Sequence, residues 1–468
     1  MFQTITPRFF WIITSIVWLL WTVFAIAFAD VRFQADGAHY LLHIVQSETF
    51  RIEHQRYILA ISQLLPLLGI KLGLSMKTIV VLNSLNNVVY FFGLFVLCIV
   101  RFKDYIAAWS ILLLTVLGIL HIQFIPMYEI WYGAPLVVVL YSMLHKNVLH
   151  TPIHVVLFYA VLVTALFAHP LLFIAVLFVL VFHFLRTRKL AWRMWIGVAL
   201  TFVVWYVIKK LALTEYEAGK ISMLDTGWNK AYENLLKPSH YLRMLKFFFT
   251  YYSVTSTMFL VLVAMYIVRR SWWKLALVLS FCGGHILLIN FTHQPDAELT
   301  PYFERMYLPL VTMILIAFLF DAWTLRLVHV RAGAVAIVLI VVYRMWLYFD
   351  LSEMYVQRKM QTEALIRACS MNGGSKFILA QRDYEMCFNY VDWSLPMETA
   401  IRSSLLQLPA TINVVTEEDL NEGNNPSLLN TSNFLFRRWD VMRDKDLNTN
   451  YFKIEQGLYQ PAPLQCKR

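Results

Sequence analysis

A chain of 468 residues that is 59% hydrophobic and only 15% charged cannot bury all its apolar surface in one soluble core. Soluble domains carry about 25% charged residues, so lipid is the expected solvent here. The formal net charge of +11 would suit a nucleic-acid binder, but much of the basic charge falls in short loops between apolar runs, the positive-inside signature of a membrane protein. Cysteine is sparse and no C-x-x-C pair occurs, which argues against zinc and thiol-redox frameworks.

Apolar runs near residues 9–29, 77–100, 105–121, 127–144, 152–168, 170–185, 193–208, 246–268, 274–291, 305–325 and 332–349 predict about eleven transmembrane helices. The first is too long for a signal-peptide core and reads as a retained helix. The segment 57–70 is apolar but short and contains Pro66, so it reads as an interfacial or re-entrant helix within a first loop spanning 30–76. The basic loops are Arg101/Lys103, Lys146, Arg186–Arg193, Arg269/Arg270/Lys274 and Arg326/Arg331. Alternation of the spans puts all of them on one face, taken as cytoplasmic. The N-terminus is then inside, and the loops 30–76, 122–126, 209–245 and 292–304 are outside.

After Phe349 the composition changes, with turn-rich stretches such as NGG and EEDLNEGNNPS. KFILA and INVV read as strands, and 352–369 and 397–407 as helices. The chain therefore divides into a membrane helix bundle, 1–349, and a small α/β extracytoplasmic domain, 350–468. In an oxidising compartment Cys369 and Cys387 are candidates for a disulfide, with Cys466 as a competitor.

The first outer loop concentrates the chemistry. Between Asp30 and Arg56 it holds Arg32, Asp36, His39, His43, Glu48, Arg51, Glu53 and His54, a density no plain connector needs. Asp36 to Val45 can form an amphipathic helix with His39 and His43 at i, i+4. That spacing is compatible with a metal, but no third ligand is apparent and none is assigned. The same helix can instead lie at the headgroup level with its charges solvated.

The opening helix, the long acidic outer loop with amphipathic helices, the many further spans and the C-terminal outer domain together resemble the GT-C glycosyltransferases. That group includes protein O-mannosyltransferases and the aminoarabinose transferase of lipid A. ADGAHYLLHI resembles the D-x-x-x-Y start of the first loop in such enzymes, and YFERMYLPL (Tyr302 to Leu310) resembles their RYxLP run. The chain departs from the pattern where Gly37, not a second acid, follows Asp36, and no outer loop contains D-x-D. The resemblance implies inverting transfer of a sugar from a polyprenyl-phosphate donor to a lipid, glycan or protein acceptor at the outer face of a bacterial cytoplasmic membrane. No cofactor is implied, and a divalent metal is left open.

Such a reaction needs a base for the acceptor hydroxyl and cations for the phosphate. Asp36 is the candidate base; the competing role is a helix N-cap. Arg51, Arg56 and Arg305 are candidate phosphate ligands, although an arginine at a span end also reaches the headgroups unaided. Glu129, in MYEIWYG, is a sugar-stacking or interfacial-belt candidate. His169 before Pro170 marks a helix break lining a cavity or a tight turn, and Glu304 is a reserve carboxylate beside Arg305. Two other classes compete: a secondary transporter, which should show inverted repeats and midspan charges, and a non-catalytic scaffold, which should tolerate loss of Asp36.

Overall fold

A computed structural model of the chain describes residues 7–188, 192–219, 221–222, 237–292, 300–323, 330–388, 392–422, 430–437 and 440–463. The protein is mainly helical. The helices α1 (Pro7–Ala27), α2 (Asp36–Ser47), α3 (Ile58–Ser62), α4 (Leu64–Lys71) and α5 (Met76–Val100) are followed by α6 (Tyr105–Leu117), α7 (Glu129–His145), α8 (Pro152–Ala168) and α9 (Leu172–Thr187). Then come α10 (Trp192–Leu211), α11 (Pro238–Tyr251), α12 (Ser253–Val268), α13 (Trp272–Thr292), α14 (Thr300–Ala317) and α15 (Val330–Met371).

Six described helices are long and apolar enough to cross a bilayer, or seven if α11 and α12, bent by 102°, form one broken span. The protein is therefore built as an integral membrane protein. The other predicted runs also fold as helices, but α6 to α9 have only 13, 17, 17 and 16 residues. Among the described residues, groups at four of the five predicted basic loops meet at one end of the bundle. There Asp321 accepts from Lys274 (2.6 Å) and Tyr266 (2.9 Å), with Arg186 at 3.7 Å. Asp104 accepts from Ser142 (2.9 Å) and pairs with His145 (3.0 Å). Lys189 and Arg326 lie outside the described residues.

Three expectations are corrected. The run 105–121 is not one helix: α6 ends at Leu117, and residues 118–128 are irregular apart from a 3-10 turn at His121–Phe124. Nor is 122–126 an exposed outer loop, because Leu120, Ile122, Phe124 and Ile125 are buried in the bundle core. The boundary at 349/350 is not a break in the chain. α15 runs through it for 42 residues, about 63 Å at 1.5 Å per residue, so the helix expected at 352–369 is its continuation. Apolarity stops near Phe349, but the following sequence is rich in strong helix formers and contains no glycine or proline to end the helix before Met371.

The apolar segment 57–70 forms the short pair α3 and α4. Asn86 of α5 pins it, donating to Ile61 O (2.8 Å) and to Tyr132 (2.9 Å) and accepting from the Leu65 N–H (3.0 Å). The tail is the expected α/β unit. It comprises β1 (Lys376–Leu379), α16 (Gln381–Cys387), α17 (Leu395–Leu405), β2 (Asn413–Thr416), α18 (Glu417–Glu422), β3 (Asn433–Arg437), β4 (Asp440–Arg443) and β5 (Gln460–Pro461). β1 lies between β2 and β5, parallel to both, while β3 and β4 pair antiparallel. Cys369 is a buried free thiol whereas Cys387 is disulfide-bonded, so the expected Cys369–Cys387 pairing is not the one formed. Cys466 lies outside the described residues.

The tail packs on the membrane unit rather than hanging from it. Leu41, Ile44 and Val45 of α2 share a core cluster with Ile401 of α17, Val415 of β2 and Phe434 of β3. α2 is thus buried between bundle and domain, not solvated at the headgroups. The seam is fastened by a bidentate ion pair. Arg358 of α15 donates from Nε and Nη2 to the two oxygens of Glu398, each at 3.0 Å, and the side chains are 4% and 0% exposed. Ser394 adds a 2.6 Å bond to the same carboxylate. Breaking a buried pair by removing one partner costs about 3–5 kcal/mol, because the other charge is stranded. Glu398→Ala should therefore lower the melting temperature of the detergent-purified protein sharply. Arg358→Met with Glu398→Leu should recover most of the loss. An unchanged melt for Glu398→Ala would show that the pair does not fasten the seam.

Candidate functional site

The irregular segment 118–128 sets the site. Its peptide groups are buried among apolar helices, where each needs a partner. Arg344 of α15 donates to Val116 O (2.8 Å), Ile119 O (2.8 Å) and Tyr251 O (2.7 Å). Tyr348, one turn on, donates to the same two carbonyls of the α6 end. Arg32, 1% exposed, donates to Gln123 O (2.5 Å) and Ser84 O (2.8 Å). Glu304 accepts the N–H groups of Leu120 (3.0 Å) and Ile122 (3.2 Å). Glu304 thus braces this backbone through Oε2.

Held in this way, the segment delivers Tyr128 and Glu129. Arg305, the neighbour of Glu304 in α14, lies over the Tyr128 ring at 5.0 Å and reaches Asp36 with Nη1 at 3.3 Å. Asp36 is the first residue of α2, and the residue preceding it, Ala35, makes no side-chain cap bond. The Asp36 carboxylate is turned to Arg305 instead of capping the helix. Burial pushes its pKa up, and Arg305 only partly offsets this. The result is a carboxylate more basic than an ordinary aspartate, as a general base requires.

Glu129 accepts from Arg56 (2.9 Å) and Tyr40 (3.3 Å). It is not a belt residue, since it is buried. Arg56 turns inward after His54 and Gln55, both at positive φ (51° and 59°), a backbone conformation disfavoured for residues other than glycine. His169 follows α8, and its Nδ1 accepts the Leu171 N–H at 3.2 Å. Burial, then the neighbouring cations Arg56, Arg305 and Lys209, hold this imidazole well below the usual histidine range, so it is neutral.

Arg56, Glu129, His169 and Arg305 converge on one cavity of about 440 Å³. Four residues chosen from separate stretches of sequence thus share a wall, and Asp36 touches the cavity through Arg305. The rest of the wall was not anticipated. Lys209 and Lys210 end α10, and Trp205, Tyr216 and Glu217 stand beside them, with Ile289 and Met306 supplying apolar surface. Lys209 donates to Glu217 (3.0 Å) and to His54 O (2.9 Å), which ties this wall to the first loop. The Lys-Lys pair at a span end was the one available signal.

Arg51 is not part of the cavity. Its Nε lies 3.0 Å from Glu53, and its side chain is 41% exposed. Glu53 also meets His39 (3.2 Å) and Arg437 of β3 (3.8 Å). Burial opposes the charge on Glu53, yet the hydrogen bonds from His39 and Arg51 hold its pKa well below the usual carboxylate range. His39 and His43 are spent on this contact between loop and domain, with His43 packed on Phe436 at 4.6 Å. Among the described residues no group of three or more His, Cys, Asp or Glu side chains is arranged to hold a metal ion. His293, Asp296 and Glu298 lie outside the described residues. Compared with known proteins, the chain matches no family model, no curated protein and no solved structure.

Proposed function

We propose that the protein is a membrane glycosyltransferase of the GT-C kind, moving a sugar from a polyprenyl-phosphate donor to a lipid, glycan or protein acceptor at the outer face. The observation that carries this reading is the cavity, where Arg56, Lys209, Lys210 and Arg305 meet apolar helix surface. An isoprenoid phosphate needs both: cations for the phosphate and an apolar groove for the tail. Three of the cations are already balanced by Glu129, Glu217 and Asp36, which leaves a single positive excess suited to one phosphodiester. In this reading Asp36 takes the proton of the acceptor hydroxyl while the donor phosphate departs toward Arg56 and Arg305.

The reading includes the finer topology: eleven spans, with the short helices α6 to α9 among them, the N-terminus in the cytoplasm and the C-terminal domain outside. Two features support it. Groups at four of the five basic loops gather at one end of the bundle, and Cys387 is disulfide-bonded, as suits an oxidising compartment. Cysteines introduced at Glu455 and at Thr187 should divide in intact cells. A membrane-impermeant thiol reagent should label Glu455→Cys and not Thr187→Cys, and the opposite pattern would reverse the orientation.

Two variants separate base from phosphate ligand. Asp36→Asn keeps shape but cannot accept the proton, and general-base catalysis contributes about 10²–10⁴-fold. Transfer of labelled sugar from a polyprenyl-phosphate donor should fall by about two orders of magnitude or more, with the thermal melt unchanged. In the wild type the rate should drop as pH falls through a pKa above the ordinary aspartate value. Arg305→Gln removes the cation that opposes this rise, so the acid limb should move to still higher pH. Donor binding should also weaken, by roughly 1.5–3 kcal/mol for a charge-assisted contact. Wild-type transfer by a folded Asp36→Asn protein would remove Asp36 from the mechanism.

A further inference from the structure

A second cavity, of about 550 Å³, lies at the seam between the first loop and the C-terminal domain. One wall is the turn from α4 into α5, where Gly73 adopts φ +65° and Ser75 caps α5. The other wall comes from the domain and carries Ser404, Asn450 and Tyr451. Glu48, which closes α2 in the left-handed conformation, stands between them.

Both walls are pinned. Asn448 donates from its side chain to Val45 O (2.7 Å) and to Glu48 Oε1 (3.2 Å), and its N–H donates to Gln46 Oε1 (2.9 Å). Ser404 donates to Tyr451 O at 2.6 Å. These bonds join α2, α17 and the 448–451 turn, so the groove is already formed without a ligand. Its volume lies in the range of small-molecule sites.

The lining selects a chemistry. It offers a carboxylate, two hydroxyls, a carboxamide and a phenol ring, over a floor that includes Leu74 and Met76, and the carboxylate, Glu48, is paired at its rim with Lys71 at 3.4 Å. With Lys71 beside its one acid, the groove has no net charge to draw in phosphate, sulfate or uronate. It favours a ligand with many hydroxyls on its edge and C–H groups on its face, which is the surface of a pyranose ring. We propose that this groove binds neutral or amino sugars of a glycan. Asp36 and Glu48 sit at the two ends of α2, about 18 Å apart at 1.5 Å per residue. The groove's part in sugar transfer rests on the proposed function, but the binding itself does not.

The test uses detergent-purified full-length protein on a printed array of neutral, amino and acidic oligosaccharides, followed by titration of the glycans retained. Neutral or amino glycans should be held and acidic ones rejected. Glu48→Gln and Tyr451→Ala should each weaken binding by about tenfold or more. Tyr451→Phe, which keeps the ring, should lose less, and Asp36→Asn should bind as the wild type does. Retention of no glycan would overturn the proposal. So would retention of glycans whose affinity is unchanged in Glu48→Gln, Tyr451→Phe and Asn450→Ala proteins with wild-type melts. Failure of the transferase reading looks different: the groove binds sugar, yet the wild-type protein transfers none from a polyprenyl-phosphate donor.

Discussion

The site depends on a requirement of backbone chemistry. Residues 118–128 cross the interior of an apolar bundle without a regular helix, and lipid supplies no partner for their peptide groups. Three buried charged side chains, Arg32, Arg344 and Glu304, and the phenol of Tyr348 provide the partners. They reach in from the first loop, α14 and α15, and Arg32 also binds Ser84 of α5, so these elements are held in register with the segment. The outcome is positional: Glu304 fixes the segment while its neighbour Arg305 faces Asp36, and the segment's far end sets Tyr128 and Glu129 against Arg305 and Arg56. Non-helical backbone at membrane depth is tolerated where it is buried in protein or lines a cavity. Here it does both.

The second organising feature is the coupling of the C-terminal domain to the site. α2 begins at Asp36, beside the cavity, and ends at Glu48, against the domain. α15 carries Arg344 and Tyr348 to the segment and Arg358 to Glu398 of the domain. Gln34, two residues before Asp36, donates to Tyr355 O (3.2 Å) of the same helix. Glu53, held by His39 and Arg437, adds a third tie. Asp36 and the domain are thus joined by several direct side-chain contacts.

Much of this was legible in the sequence, for identifiable reasons. Helical periodicity marked α2 between Asp36 and Val45, and short apolar runs marked the strands at Lys376 and Asn413. The excess of charge in the first loop pointed to Asp36 and Arg56, and Arg305 stood out as a charge entering a span. What stayed hidden required knowledge of partners. The apolar run 105–121 gives no sign of its break at Leu117, because Arg344 and Glu304, which stabilise the break, lie about 180 residues or more away. Lys209 and Lys210 read as an ordinary span end until Glu217 and His54 are seen beside them. Arg51 and Arg56 look alike in sequence, and only the turn at His54 and Gln55 decides that one faces the cavity and the other faces solvent. The continuity of α15 was concealed by a change in hydropathy that is not a change in secondary structure.

The central claim is that the cavity walled by Arg56, Arg305 and the end of α10 holds a polyprenyl-phosphate donor. Photolabelling tests it most directly. A polyprenyl phosphate carrying a photoreactive group near the phosphate should attach to peptides containing Trp205 to Lys210 and Leu288 to Met306, and an excess of unlabelled donor should abolish this. Labelling spread over the lipid-facing sides of α1, α5 and α15, unaffected by competition, would contradict the account.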